Sequence, residues 1–137
     1  RERIEPLHVV HDYLFSRGPI APVNPNHAAS LPPVMHPMVR ANPVNSLKNY
    51  YIGSHARSIP GRSGIDSRQL LDTLLEHTTA PERILSLAFK PGDTVIWDNR
   101  CILHRGTGYD ANRWRRRMRQ TRVVGSDKGV IPKPLQE

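Results

Sequence analysis

Cysteine is almost absent from this 137-residue sequence: Cys101 stands alone, which excludes an internal disulfide framework and a cysteine-based zinc ribbon. One thiol fits a reducing compartment, so the expectation is a cytoplasmic protein. No run of apolar residues approaches the ~18 that a membrane span needs, so a soluble protein with no membrane partner is expected. The apolar fraction, 37%, is low for a self-contained domain of this length. The chain opens on Arg1-Glu2-Arg3, with neither an initiator Met nor an apolar leader, and the expectation is a processed chain or a piece of a longer one.

What is present argues for turns and strands. Thirteen prolines and nine glycines speak against a helical bundle. Ile4, Leu7, Val10 and Leu14 recur at helical spacing and predict an amphipathic helix over 4–16. The Pro-rich stretch 17–33 is expected to be irregular, either an ordered surface excursion or a binding loop. Residues 34–40 and 48–53 read as short strands, with the Asn42–Ser46 cluster turning the chain between them. Asp66-Ser67-Arg68-Gln69 has the form of a capping box. Leu70, Leu71, Leu74 and Leu75 then form a stripe, predicting a helix over 67–77, with Pro81 just past its end. Strands are expected over 83–89, 94–98 and 113–124, with a tight turn at Pro91-Gly92-Asp93. Residues 126–137 read as a loosely held tail. The fold class expected is mainly β with flanking helices.

The net charge of +8 raises nucleic acid as a partner, but it is concentrated in Arg113, Arg115, Arg116, Arg117, Arg119 and Arg122. On a strand, Trp114, Arg116, Met118 and Gln120 share one face, and Arg113, Arg115, Arg117, Arg119 and Thr121 the other. Alternation does not say which face points inward. An inward arginine face needs anionic partners, and a ligand carboxylate held by a guanidinium fork is one. A solvated cationic row is the alternative, and RWRRRMRQTR by itself also has the form of a nucleic-acid patch with an interleaved Trp.

Just upstream, Trp97-Asp98-Asn99-Arg100 leads to His104 ahead of Gly106-Thr107-Gly108. This element and the arginine-rich return strand resemble the C-terminal signature of the TauD/TfdA group, the taurine and 2,4-dichlorophenoxyacetate dioxygenases. The resemblance extends to His36-Pro37-Met38-Val39-Arg40-Ala41-Asn42-Pro43, Tyr51-Ile52-Gly53, the leucine helix and Lys90-Pro91-Gly92-Asp93, covering about 5–125. It implies a double-stranded β-helix (jelly roll), of which residues 1–125 are the C-terminal half and 126–137 a tail. It further implies iron(II) and 2-oxoglutarate as cofactors, O2 and a small organic molecule as substrates, and hydroxylation with release of succinate and carbon dioxide. A nucleic-acid partner is then not expected, and the oligomeric state stays open, a homo-oligomer included.

Carried over residue by residue, the resemblance makes His104 the distal iron ligand and Arg115 the partner of the far 2-oxoglutarate carboxylate. Arg119 is placed near the substrate, because Arg115, Arg119 and Thr121 match the family's Arg-x3-Arg-x-Thr spacing; a one-residue slip puts Arg116 and Gln120 there instead. One departure is large. The family's facial triad takes its first two ligands from a His-x-Asp/Glu motif, and none occurs here. His11-Asp12 is adjacent rather than spaced. The expectation is that this motif lies upstream of residue 1, that the chain alone is inactive, and that a half barrel exposes an apolar edge and is poorly soluble. A non-catalytic β scaffold is the alternative. The other histidines (His8, His11, His27, His36, His55 and His77) are expected to be structural or exposed, Trp97 to be core beside the site, and Cys101 to be buried.

Overall fold

The structure, a computed structural model, describes residues 3–123 and 133–134. Strand β1 (His8–His11) is followed by helices α1 (Tyr13–Arg17) and α2 (Pro25–Ala29). Strands β2 (Val34–Pro37), β3 (Val39–Ala41), β4 (Lys48–Tyr50) and β5 (Ala56–Ser58) come next, then helix α3 (Gly64–Thr78) and a 3-10 turn at Pro81–Arg83. A two-residue strand, β6 (Lys133–Pro134), closes the order. One sheet runs β5-β1-β2-β6 and a second pairs β3 with β4, all antiparallel.

The expected helix over 4–16 is not formed. Its centre, Val9-Val10, is β-branched and pairs with His36 and Met35 in β2, so tertiary pairing overrides an apolar spacing that also fits a strand. Asp12 decides the switch to helix. Its carboxylate accepts from Leu14 N at 2.9 Å and Phe15 N at 3.3 Å, the hydrogen bonding of an N-cap, and also from Arg57 Nη1 at 2.9 Å. Because Asp12 is buried, Asp12→Ala is expected to cost about 1–3 kcal/mol, measured as a lower urea midpoint.

Met38 joins the two sheets. Its N–H donates to Leu7 O at 2.9 Å and its carbonyl accepts from Tyr51 N at 2.7 Å. The Asn42–Ser46 turn forms as expected: Asn42 Oδ1 accepts from Val44 N at 2.9 Å, and Ser46 N donates to Asn42 O at 2.8 Å. Met38 packs with Val9, Ile52, Ala56, Ile59 and Leu71 in a buried cluster, flanked by Ile4, Leu7, Tyr50, Leu70, Leu74 and Leu75. The leucine stripe of α3 is therefore the lid of this core.

Helix α3 begins a turn earlier than the sequence suggests. Ser63, not Asp66, is the N-cap: Ser63 Oγ accepts from Asp66 N at 3.1 Å and donates to Asp66 Oδ2 at 2.8 Å. Ser63 thus satisfies one orphan N–H of the first turn, and the Asp66 carboxylate in turn holds the Ser63 hydroxyl. The fully buried Ser67 clips the helix to the chain beyond β5, its Oγ accepting from Ile59 N at 3.1 Å. Ser67→Ala is expected to strand that N–H at a cost of about 1–3 kcal/mol, visible as accelerated amide exchange at Ile59.

Beyond residue 83 the expectations fail. No strand forms over 83–89, 94–98 or the described part of 113–124. Ile84, Leu85, Leu87, Phe89, Ile96, Trp114, Met118 and Val123 are exposed. Extended segments become strands only when a neighbour takes their backbone hydrogen bonds, and the described chain offers these segments none. The tight turn at 91–93 does form, with Gly92 at φ 94° and Lys90 N donating to Asp93 Oδ2 at 2.8 Å. The expected tail, 126–137, lies outside the described residues except for β6, which pairs with Val34 and Met35.

Candidate functional site

The element around His104 is organised by its turn. Asp98 accepts from Arg100 N at 2.9 Å and is gripped by the same guanidinium, Nη2 to Oδ2 at 2.8 Å and Nε to Oδ1 at 2.9 Å. This fork holds the Asp98 carboxyl below the usual range, mainly through its hydrogen bonds to Arg100. Asn99 accepts from Trp97 Nε1 at 2.8 Å. Trp97 in turn lies 5.0 Å from the His104 ring, centroid to centroid, tilted by 56°. So the WDNR element is held by two side-chain pairs, Trp97 with Asn99 and Asp98 with Arg100, and the indole meets the imidazole. Leu103 rests against Gly53 in the loop after β4, tying this element to the core layer.

The other expected site residues are less assembled. His104, Arg115 and Arg119 are all exposed, and among the described residues no hydrogen bond or ion pair joins them. Arg116 is the better placed neighbour: its guanidinium lies 5.9 Å from the Tyr109 centroid, and its Nε is 2.9 Å from Met118 Sδ. Arg113 sits over Trp114 at 5.2 Å. Because 113–123 is not a strand, the proposed alternation of faces has no expression here. Two lesser expectations are corrected. Trp97 is half-buried rather than core, and Cys101 is exposed, since no layer covers this turn.

Iron needs several donors converging, and no group of three or more His, Cys, Asp or Glu side chains able to hold a metal occurs among the described residues. His104 alone does not make an iron site.

The sequence reading missed a cluster elsewhere. His11, His36 and Tyr51 converge, with ring centroids 5.1 to 5.5 Å apart, and the Arg40 guanidinium lies 4.4 Å from the Tyr51 centroid. Burial, with smaller contributions from His36 and His55, lowers the His11 pKa from 6.5 to about 4. Burial and then Arg40 lower His36 as well. Next to it, Ser16 Oγ and His55 Nδ1 are 2.6 Å apart. The available signal was the placement of His11 and His36 on paired strands, hidden because 4–16 reads as a helix.

The family description "Taurine catabolism dioxygenase TauD, TfdA family" matches residues 1–122. The chain belongs to this TauD/TfdA family. It is 40% identical over 104 residues to the alpha-ketoglutarate-dependent 2,4-dichlorophenoxyacetate dioxygenase of Burkholderia sp. (strain RASC), covering 76% of this chain and 35% of that protein. It is 38% identical over 94 residues to the (S)-phenoxypropionate/alpha-ketoglutarate-dioxygenase of Sphingobium herbicidovorans, covering 69% of this chain and 32% of the relative. Among solved structures, AAD-2 in complex with Mn(II) and N-oxalylglycine superposes with a TM-score of 0.58 at 33% identity, over 65% of this chain and 36% of that one. A putative alpha-ketoglutarate dependent 2,4-D dioxygenase from Burkholderia xenovorans gives 0.61 at 28% identity, over 66% and 36%. This TauD/TfdA chain therefore spans roughly a third of the length of these relatives.

Proposed function

We propose that this chain is the His104- and Arg115-bearing part of an iron(II)- and 2-oxoglutarate-dependent dioxygenase that hydroxylates a small organic molecule. The observation that carries the reading is the WDNR turn: Asp98 and Arg100 form a forked pair and Trp97 packs on the His104 ring, inside a stretch that matches the TauD/TfdA family. The jelly roll, of which these residues form the C-terminal half, is part of the same proposal.

The described residues do not fit a complete iron site, since His104 brings one imidazole and the triad needs two more donors. The roles of the residues present are simpler. His104 offers one imidazole, whose ring Trp97 packs against. Arg115 offers a planar fork matched to a carboxylate, and Arg119 a second cation that favours an anionic substrate. The exposed 84–123 segment, which forms no strand, favours a second reading, a β scaffold that binds without catalysis.

Anaerobic titration with iron(II) and 2-oxoglutarate separates the two, read by the visible charge-transfer band of the chelate. It is run on this chain and on the chain preceded by an upstream segment carrying a His-x-Asp motif. The dioxygenase reading expects a band in the extended protein. His104→Ala abolishes it, and Arg115→Ala raises the 2-oxoglutarate Kd by roughly 10- to 100-fold. A folded extended protein without the band supports the scaffold.

A further inference from the structure

The His11–His36–Tyr51 cluster lies outside everything assigned above. In the β1–β2 register His11 faces Val34 and Val9 faces His36. The two imidazoles are therefore diagonal neighbours on one face of the sheet. Their centroids are 5.5 Å apart with the planes 75° to each other, and Tyr51 stands 5.1 Å from both.

His11 Nε2 and His36 Nδ1 are both buried and have no hydrogen-bond partner. Buried polar atoms are nearly always paired, and an orphan costs free energy. Two orphans on adjacent rings point to a shared ligand. Its nature follows from the donors. A neutral imidazole carries one bare lone pair, and imidazole nitrogen is the commonest protein ligand to a metal ion.

We infer that His11 Nε2 and His36 Nδ1 form a two-imidazole site for a borderline divalent transition ion such as zinc, cobalt, nickel or copper, with Tyr51 and water in the remaining positions. The spacing agrees. A metal–nitrogen bond of about 2.0–2.1 Å puts each ring centroid about 3.2 Å from the ion. A tetrahedral angle then separates the centroids by about 5.2 Å and a right angle by about 4.5 Å. The observed 5.5 Å belongs with the tetrahedral case. Nitrogen donors select these ions over magnesium or calcium, which need oxygen. The nearby buried carboxylate, Asp12, is committed to the N-terminus of α1 and to Arg57. Burial keeps His11 unprotonated, and so available, at neutral pH. Arg40 brings the local charge that opposes a cation, so with only two protein nitrogens the expected Kd is micromolar. The site is separate from His104 and does not depend on the dioxygenase reading.

Cobalt(II) titration of the 137-residue chain, without 2-oxoglutarate, tests this. Saturation at one equivalent with visible d–d bands of a tetrahedral ion is expected. Affinity falls by at least ~30-fold in His11→Gln and in His36→Gln, the loss of one of two strong ligands, but not in His104→Ala or His8→Gln. No saturable band, or one insensitive to both substitutions, overturns the site. Should either variant fail to fold, zinc titration of the unsubstituted chain decides by 15N NMR of its imidazoles. Shifts at His11 and His36 at one equivalent support the site. Shifts confined to His8, His27, His77 or His104, or none, overturn it.

Discussion

Leu71→Ala is expected to lower stability by about 3–5 kcal/mol. Leu71 is 1% exposed and is the α3 residue at the centre of the buried cluster with Val9, Met38, Ile52, Ala56 and Ile59. Truncation removes apolar contacts from both the sheet and the helix. The surroundings are poorly able to collapse into the space, because α3 is pinned in the turn that precedes Leu71. Ser67 Oγ accepts from Ile59 N at 3.1 Å, and Arg68 Nη1 donates to Ala56 O at 3.1 Å. A small domain has a total stability of about 5–15 kcal/mol. This core is one cluster, so the fraction lost is large. Urea unfolding followed by circular dichroism measures the change. A shift below about 1 kcal/mol, the size of an ordinary surface effect, would show that α3 does not seal the core.

Acidification is expected to destabilise the fold between pH 6.5 and 4, with His11 as a main cause. Its pKa falls from 6.5 to about 4 in the folded chain, so the unfolded state binds the proton first. Stability is therefore complete at neutral pH, declines as pH drops through 6.5, and stops changing on this account below about 4. Because the ring is only partly buried, its contribution is on the order of 2 kcal/mol. His36, lowered by burial and Arg40, acts in the same direction. Carboxylates also titrate near the lower end of this window, so the comparison with His11→Gln isolates the imidazole. The substituted chain should lose less stability between pH 7 and pH 5 than the parent. Equal losses would mean that His11 is solvated in the folded state.

The exposed segment after residue 83 carries a further expectation. Ile84, Leu85, Ile96 and Val123 are open to solvent, and contiguous apolar exposure promotes association. The isolated chain should sediment as concentration-dependent oligomers. A monodisperse monomer with a cooperative transition would contradict this.

Local chemistry made parts of the fold legible. The Leu70, Leu71, Leu74, Leu75 stripe needs a core to face and so marked α3, although its cap was read at Asp66 and stands at Ser63. Asn42 turns the chain through its own side chain, and Gly92 supplies a positive φ (94°) that few other residues tolerate. For the same reason the WDNR element was readable: Asp98 and Arg100 are two residues apart and meet without help from the rest of the molecule. The family resemblance rested on these short-range features, and the match over residues 1–122 upholds it.

Tertiary structure decided whatever depends on a distant partner. Whether 4–16 becomes a helix or a strand turns on whether Val34–Pro37 is there to pair with Val9 and Val10, because Ile4, Leu7, Val10 and Leu14 fit either period. The convergence of His11, His36 and Tyr51, which lie far apart in the chain, is set by sheet register alone. The 83–89, 94–98 and 113–124 segments have the composition of strands, but a strand exists only where a neighbouring segment takes its backbone hydrogen bonds, and among the described residues none does. Sequence by itself therefore determined the caps, the turns and the clamp beside His104, all closed within a few residues. Pairing across the sheets determined which segments became strands and which histidines met, since that free energy comes from groups far apart in the chain.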